Sequence, residues 1–173
     1  MKAHSFIYLI IYSCFIMSVS LQAQEHFADR YNVSYITMDD GLPHNFIDDI
    51  YKDTRGFLWI STAGGGLSRY DGYEFIHFNP NTPHSKLKSN FIHNVYEDRF
   101  HRLWIVSEGG TDIIDLSTLQ SVIPNDPKGL LPRFINHPTY IVILDSQGCI
   151  WLQCDNALHR ITFDAEGGID TLS

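Results

Sequence analysis

Basic side chains are sparse in this chain: 12 lysines and arginines face 20 aspartates and glutamates, for a formal charge of −8. That balance argues against a nucleic-acid surface or a patch for anionic membrane. Cysteine is also scarce, with three residues in all. Past the first two dozen residues no stretch is apolar enough to cross a bilayer, and there is no low-complexity tract, long linker or second domain. Nine histidines are scattered, with no pair at the spacing of a zinc site. What the chain has in quantity is aromatic residues, at 13%, and an internal repeat.

The N-terminal segment stands apart. Lys2 and His4 precede an uncharged apolar stretch from Phe6 to Val19, and Leu21-Gln22-Ala23 offers a small-residue cleavage site. The run falls short of the roughly 18–20 residues that span a bilayer, so residues 1–23 read as a secretory signal peptide. Cys14 follows Ile11-Tyr12-Ser13, and the bulky tyrosine makes a poor lipoprotein site. Removal of the leader leaves residues 24–173 with a charge of about −9 in an oxidising, exported space where disulfides are allowed. The two remaining cysteines, Cys149 and Cys154, flank Trp151. On one strand their odd separation points them to opposite faces, about 16 Å apart, so packing rather than a bond is expected.

The repeat is centred on tryptophan. Asp53, Asp98 and Asp145 each stand six residues before Trp59, Trp104 and Trp151, with Gly56 and Gly148 in the intervening turns and His101 in the glycine position of the second copy. Asn45-Phe46-Ile47 recurs as Asn90-Phe91-Ile92, and Gly64-Gly65 as Gly109-Gly110, at an offset of 45; the third copy is shifted by 47 and has Asn156-Ala157 in place of the glycine pair. A period of this size means a repeat architecture.

Within a copy, short apolar runs alternate with turn signals, which is a pattern of strands. Phe46–Lys52, Phe57–Thr62, Leu67–Tyr70 and Tyr73–Phe78 read as four antiparallel strands, the last pair joined by a two-residue Asp71-Gly72 hairpin. Units of this kind stack as propeller blades. The expected fold is all-β: a partial β-propeller of about three four-stranded blades in an incomplete ring. The repeats fall at about 45–78, 90–123 and 137–163, and Tyr35–Met38 reads as a closing strand whose partner blade lies outside this chain.

No constellation for chemistry emerges. A side chain repeated in every unit answers a packing problem that every unit shares, so the tryptophans are expected between blades and the aspartates as turn caps. Gly64-Gly65-Gly66 lacks the lysine and hydroxyl residue of a phosphate-binding loop, and a strand follows it. Asp53 and Gly56 are three apart, which fails the sialidase aspartate box. Asp39-Asp40 and Asp48-Asp49 read as solvated pairs, and His44, His93 and His101 fall in or near loops. No catalytic, metal, cofactor or ligand-binding residue is assigned.

The stretch from Asp53 to Gly72, read as Asp-x-x-Gly-x-Leu-Trp-Ile-x-Thr-x-x-Gly-Gly-Leu-x-Arg-Tyr-Asp-Gly with the Asp40–Asn45 lead-in, resembles the repeat of the two-component regulator propeller family. The resemblance implies a periplasmic sensor region of a Bacteroidetes hybrid two-component system, inner-membrane-anchored when complete. In such systems two propellers precede an immunoglobulin-like module, a membrane helix, a histidine kinase, a receiver and a DNA-binding domain. It implies an oligosaccharide ligand, further blades and signalling domains as partners, and a homodimer of the full-length protein. It implies no cofactor and no enzyme activity for this stretch, in which none of the kinase parts is present. The competing readings are a propeller enzyme, either lyase or glycoside hydrolase, and a stand-alone scaffold.

Overall fold

Each aspartate turn closes because one carboxylate supplies the acceptors that the turn amides lack. The computed structural model describes residues 33–83 and 86–172; the signal-peptide assignment lies outside them. Asp53 Oδ1 accepts the amides of Arg55 (3.0 Å) and Phe57 (2.9 Å). Asp98 Oδ1 does the same for Phe100 and Arg102, and Asp145 Oδ1 for Gln147 and Cys149. Gly56 and Gly148 adopt φ of 95° and 77° in these turns, and His101 takes the same left-handed turn at φ 58°, so the second copy keeps its turn despite losing the glycine.

On these turns hang the eleven strands found among the described residues. The first blade is β1 (Ile47–Lys52), β2 (Leu58–Thr62), β3 (Gly66–Tyr70) and β4 (Phe75–Phe78), antiparallel in chain order. The second is β5 (Ile92–Glu97), β6 (Arg102–Ser107) and β7 (Gly110–Asp115); the third is β8 (Thr139–Leu144), β9 (Ile150–Cys154), β10 (Ala157–Phe163) and β11 (Ile169–Leu172). The inner strands lie side by side, β1 against β5 and β5 against β8.

The core sits between blades. Trp59, Leu67, Phe78, Ile92, Val95 and Ile105 fill the space between the first and second, and Trp104, Val106, Phe134, Val142, Ile150 and Leu152 that between the second and third. An aromatic ring of this size buries about 150–250 Å², so each tryptophan is the main apolar contribution of its hairpin. Trp59 and Trp104 are fully buried, while Trp151 keeps part of its indole exposed.

Several expectations are corrected. The second blade has three strands, not four. After β7 the Asp115 carboxylate gathers the amides of Ser117 and Thr118 (2.9 Å each), and the returning chain meets β7 through Asp115 N to Gln120 O (3.0 Å), a bridge at Ser121 and Val122 N to Ile113 O (2.9 Å) without forming a strand. Pro124 has no N–H to extend that ladder, and the chain leaves for a short helix, α1 (Pro132–Ile135), whose Phe134 enters the core. The third blade does gain a fourth strand, beyond the sequence repeat, because Asp164 Oδ1 accepts the amides of Glu166 (3.0 Å) and Gly168 (2.7 Å) and starts the β10–β11 turn.

The Asp71-Gly72 hairpin is a four-residue loop pairing Tyr70 with Phe75, since Asp71 Oδ1 accepts both Tyr73 N and Glu74 N (2.8 Å each). Asp155 and Asn156 turn between β9 and β10 with both φ values positive, at 50° and 61°. That is the backbone of a type I′ hairpin turn, and it explains how the third copy dispenses with glycine there.

Tyr35–Met38, expected to close a blade that lies outside this chain, has no strand partner among the described residues. Of the N-terminal unit ending at Tyr35, Val33, Ser34 and Tyr35 are exposed and outside any strand. In the unit that begins at Ile36, Thr37 caps a 3-10 turn over Met38–Asp40, with the Asp40 carboxylate accepting Thr37 N (2.8 Å). This capping box satisfies the turn's own donors locally. The lead-in lies over the first blade instead: a methyl group on Gly41 would stand 3.2 Å from the Phe75 ring, and one on Gly65 would stand 2.7 Å from Pro43.

Candidate functional site

The residues singled out by the repeat build three separate turns, and they do not converge. In each, the second carboxylate oxygen accepts the indole N–H of its own tryptophan: Asp53 from Trp59 (2.9 Å), Asp98 from Trp104 (2.8 Å) and Asp145 from Trp151 (2.9 Å). Asp98 also receives Arg102 Nε at 2.7 Å. Asp145 is held at a pKa of about 2, first by the amide of Cys149 and then by the Trp151 indole. A carboxylate so saturated with donors has no basicity to offer a substrate. Asp53, Gly56, Trp59, Asp98, Trp104, Asp145, Gly148 and Trp151 are therefore architectural, and the function has to be sought elsewhere.

The inner strands show a second repeated feature. Each breaks register near its start, between Ile47 and Asp49 on β1, Ile92 and Asn94 on β5, and Thr139 and Val142 on β8. A bulge leaves its extra residue out of the ladder and re-aims that side chain. The residues so placed are Asp48, His93 and Tyr140, at equivalent positions of three adjacent strands. The His93 and Tyr140 rings lie 5.1 Å apart.

Around them the surface is aromatic and imperfectly satisfied. Phe46, Phe91 and Tyr140 are 69%, 51% and 49% exposed, although each belongs to an inner strand or the residue leading into it. Asn90 Oδ1 and His93 Nε2 are buried without a hydrogen-bond partner. Polar atoms left this way cost about 1–3 kcal/mol each unless something else satisfies them. Of the three histidines flagged by position, only His93 is in this group: His44 Nδ1 accepts Phe46 N (3.0 Å), and His101 Nδ1 pairs with Glu97 (2.8 Å) in the second turn. Burial marks the bulges: buried residues spaced by three instead of two, Ile92 to Val95 and Thr139 to Val142, report an extra residue within a strand.

The same bulges bear the stitches between blades. Asp49, next to the first bulge, accepts Val95 N at 3.2 Å. Asn94, next to the second, accepts Val142 N at 3.0 Å and donates to Val142 O at 2.9 Å. The corresponding residue of β8 is the exposed Ile141, which has no polar atom for the role.

Elsewhere, a cavity of about 270 Å³ lies beside the first half of β7, where the second blade lacks a strand, with Lys86, Lys88, Asp112, Ser121 and Ile123 in its wall. Its buried charges are matched internally: Lys88 Nζ reaches Asp112 Oδ1 at 2.8 Å and Thr111 O at 2.9 Å. Cys149 and Cys154 are both free and buried. Among the described residues no three His, Cys, Asp or Glu side chains are grouped as metal ligands.

Comparison with known proteins agrees with this architecture. The family model described as two component regulator propeller matches residues 41–64 and 86–109. No curated protein matches. Among solved structures, the extracellular domain of the hybrid two component system BT3049 from B. thetaiotaomicron superposes with a TM-score of 0.64 at 20% identity, over 81% of this chain and 19% of that one. Two structures of the extracellular domain of BT4673 from the same organism, described once as a one component and once as a hybrid two component system, give TM-scores of 0.57 each. Their identities are 23% and 21%, over 76% and 82% of this chain. The chain spans about a fifth of the length of these structures, and at such identities the likeness establishes the fold. The aspartate turns, the tryptophan-centred hairpins and the stacked blades are those of a propeller-like fold, and two segments of the chain resemble the two-component regulator propeller repeat.

Proposed function

We propose that this chain is a ligand-sensing segment of the extracellular part of a two-component sensor, exported to the periplasm, and that ligand meets it at the bulged ends of the inner strands. The observation that supports this most directly is the repetition of the bulge on β1, β5 and β8, which sets Asp48, His93 and Tyr140 beside exposed Phe46 and Phe91. Aromatic faces next to unsatisfied amide and imidazole atoms suit a ligand that has both apolar ring faces and hydroxyl groups, and an oligosaccharide meets that description. Binding would then bias the arrangement of a signalling homodimer through its differential affinity for two states.

A thermal-shift panel of oligosaccharides on the full-length protein tests the reading. One class of glycan is expected to raise Tm saturably without being turned over. His93→Ala and Tyr140→Ala should abolish that response, while Tyr73→Ala, on an exposed hairpin tip, should leave it intact. A response that survives both inner-strand substitutions, or release of cleaved sugar, would refute the proposal.

A further inference from the structure

Phe57, which ends the first aspartate turn, has two guanidinium groups against its ring. Arg55 Cζ is 5.2 Å and Arg69 Cζ 4.4 Å from its ring centroid. The second turn also gathers two guanidinium groups on a phenylalanine, at other repeat positions: Arg99 and Arg102 stand 4.8 and 4.9 Å from the Phe100 centroid. There the positive charge is answered from within. Arg102 Nε is 2.7 Å from the buried Asp98 carboxylate, its Nη1 donates to Gly167 O at 2.7 Å, and Arg99 Nη2 donates to Phe163 O at 3.1 Å and Asp164 O at 3.2 Å.

The first blade leaves Arg69 unanswered and gives neither cation an ion-paired carboxylate. Arg55 donates to the Leu116 carbonyl, and Arg69 makes no hydrogen bond or ion pair among the described residues. The Asp53 carboxylate is already occupied by two turn amides and the Trp59 indole, and Asp71 by the amides of its own loop. Burial and then the neighbouring Arg55 cation push the Arg69 guanidinium below its ordinary range, against a weaker opposite pull from Asp53 and Asp71. In a chain of charge −8, two cations gathered on one ring without an ion-paired carboxylate form a local reversal of sign.

We propose that Arg55, Arg69 and Phe57 form an oxyanion site for a tetrahedral group, either a free sulfate or phosphate ion or its ester on a larger ligand. Guanidinium groups present planar forks of N–H donors that match such oxygens two at a time. Two forks approaching one ring from different atoms of the blade serve three or four oxygens better than the two of a carboxylate. The ring fixes both forks by cation–π contact, so an anion finds them already placed. This site is separate from the inner-strand bulges and does not depend on the function proposed for them.

The test is calorimetric titration of the full-length protein with sodium sulfate and sodium phosphate against sodium acetate at constant ionic strength, followed by a sulfated and a phosphorylated monosaccharide. Saturable binding of the tetrahedral ions is expected, at least tenfold weaker in Arg69→Gln, weaker to a smaller degree in Arg69→Lys, and unchanged in Arg99→Gln. An ester that binds more tightly than the free ion identifies the ester as the ligand form; equal binding identifies the ion. Acetate binding as well as sulfate, or an Arg69→Gln protein that binds like the parent, overturns the proposal. A stability readout separates binding from scaffolding: in chloride alone Arg69→Gln should be no less stable than the parent, and a loss of Tm in every buffer would assign Arg69 a structural role instead.

Discussion

Removing the Asp98 carboxylate should be the most damaging single-atom-group change in the repeat, and its cost can be worked from its partners. The side chain is buried and accepts four hydrogen bonds, from Phe100 N (2.8 Å), Arg102 N (3.1 Å), Arg102 Nε (2.7 Å) and Trp104 Nε1 (2.8 Å). In Asp98→Ala the indole N–H of a fully buried tryptophan loses its acceptor, at about 1–3 kcal/mol. The buried Arg102 cation loses its counter-ion as well, and breaking such a pair costs about 3–5 kcal/mol. The two costs share neighbours and do not add in full. Arg102 also keeps its bond to Gly167 O and its place between the Phe100 and Phe163 rings. A net loss of about 4 kcal/mol follows, a large part of the roughly 5–15 kcal/mol that holds a domain together. Urea denaturation followed by far-ultraviolet circular dichroism on the full-length protein measures it. Asp98→Ala combined with Trp104→Phe should show a coupling of about 1–2 kcal/mol, because the phenyl ring removes the stranded donor. The partly exposed Asp145→Ala should lose clearly less, since water can reach the partly exposed Trp151. Equal losses at Asp98 and Asp145, or no coupling with Trp104, would refute the account of these turns as carboxylate-centred.

Gly110→Ala should destabilise by about 3 kcal/mol in the same assay, since φ is 117° and the added methyl would stand 2.2 Å from Ile135 O. Asn94→Ala should cost about 1–3 kcal/mol and speed hydrogen exchange at the Val142 amide, which the Asn94 side chain holds, whereas Ile141→Asn should leave both unchanged. For Asp145 the folded pKa of about 2 lies below the ordinary value of 3.8. The stability it contributes is therefore present above about pH 4 and is lost as pH falls toward 2; Asp145→Asn should flatten the acid-denaturation curve in that window, and an unchanged curve would contradict the assignment.

The parts of this fold that were readable in the sequence are those governed by local chemistry repeated in register. An aspartate six residues before a tryptophan reports both the turn cap and the indole acceptor, because one carboxylate serves both within a single hairpin. The less readable parts depend on competition between segments. Ser121–Ile123 has the composition of a strand and begins to pair, yet Pro124 and the burial of Phe134 draw the chain away. Ile169–Leu172 pairs although no tryptophan announces it, since Asp164 supplies the turn. Tyr35–Met38 reads as a closing strand by analogy with Phe75–Phe78, with a partner blade outside this chain; within the chain Thr37 and Asp40 form a capping box. The bulge residues of the inner strands were visible only as individually unremarkable positions. Asp48 reads as a solvated charge and His93 as a loop histidine until the pairing registers bring them into one row.

The unequal burial of the three indoles also makes the protein its own optical instrument. Trp59 and Trp104 are sealed between blades, and Trp151, with the same hydrogen bond to its aspartate, is open on one side. A collisional quencher such as acrylamide or iodide reaches only the third of these lamps in the folded state. The quenchable fraction of the emission therefore follows the third blade alone, and the protected fraction follows the two interfaces, so loosening of one stack can be told from loosening of the other without any added label.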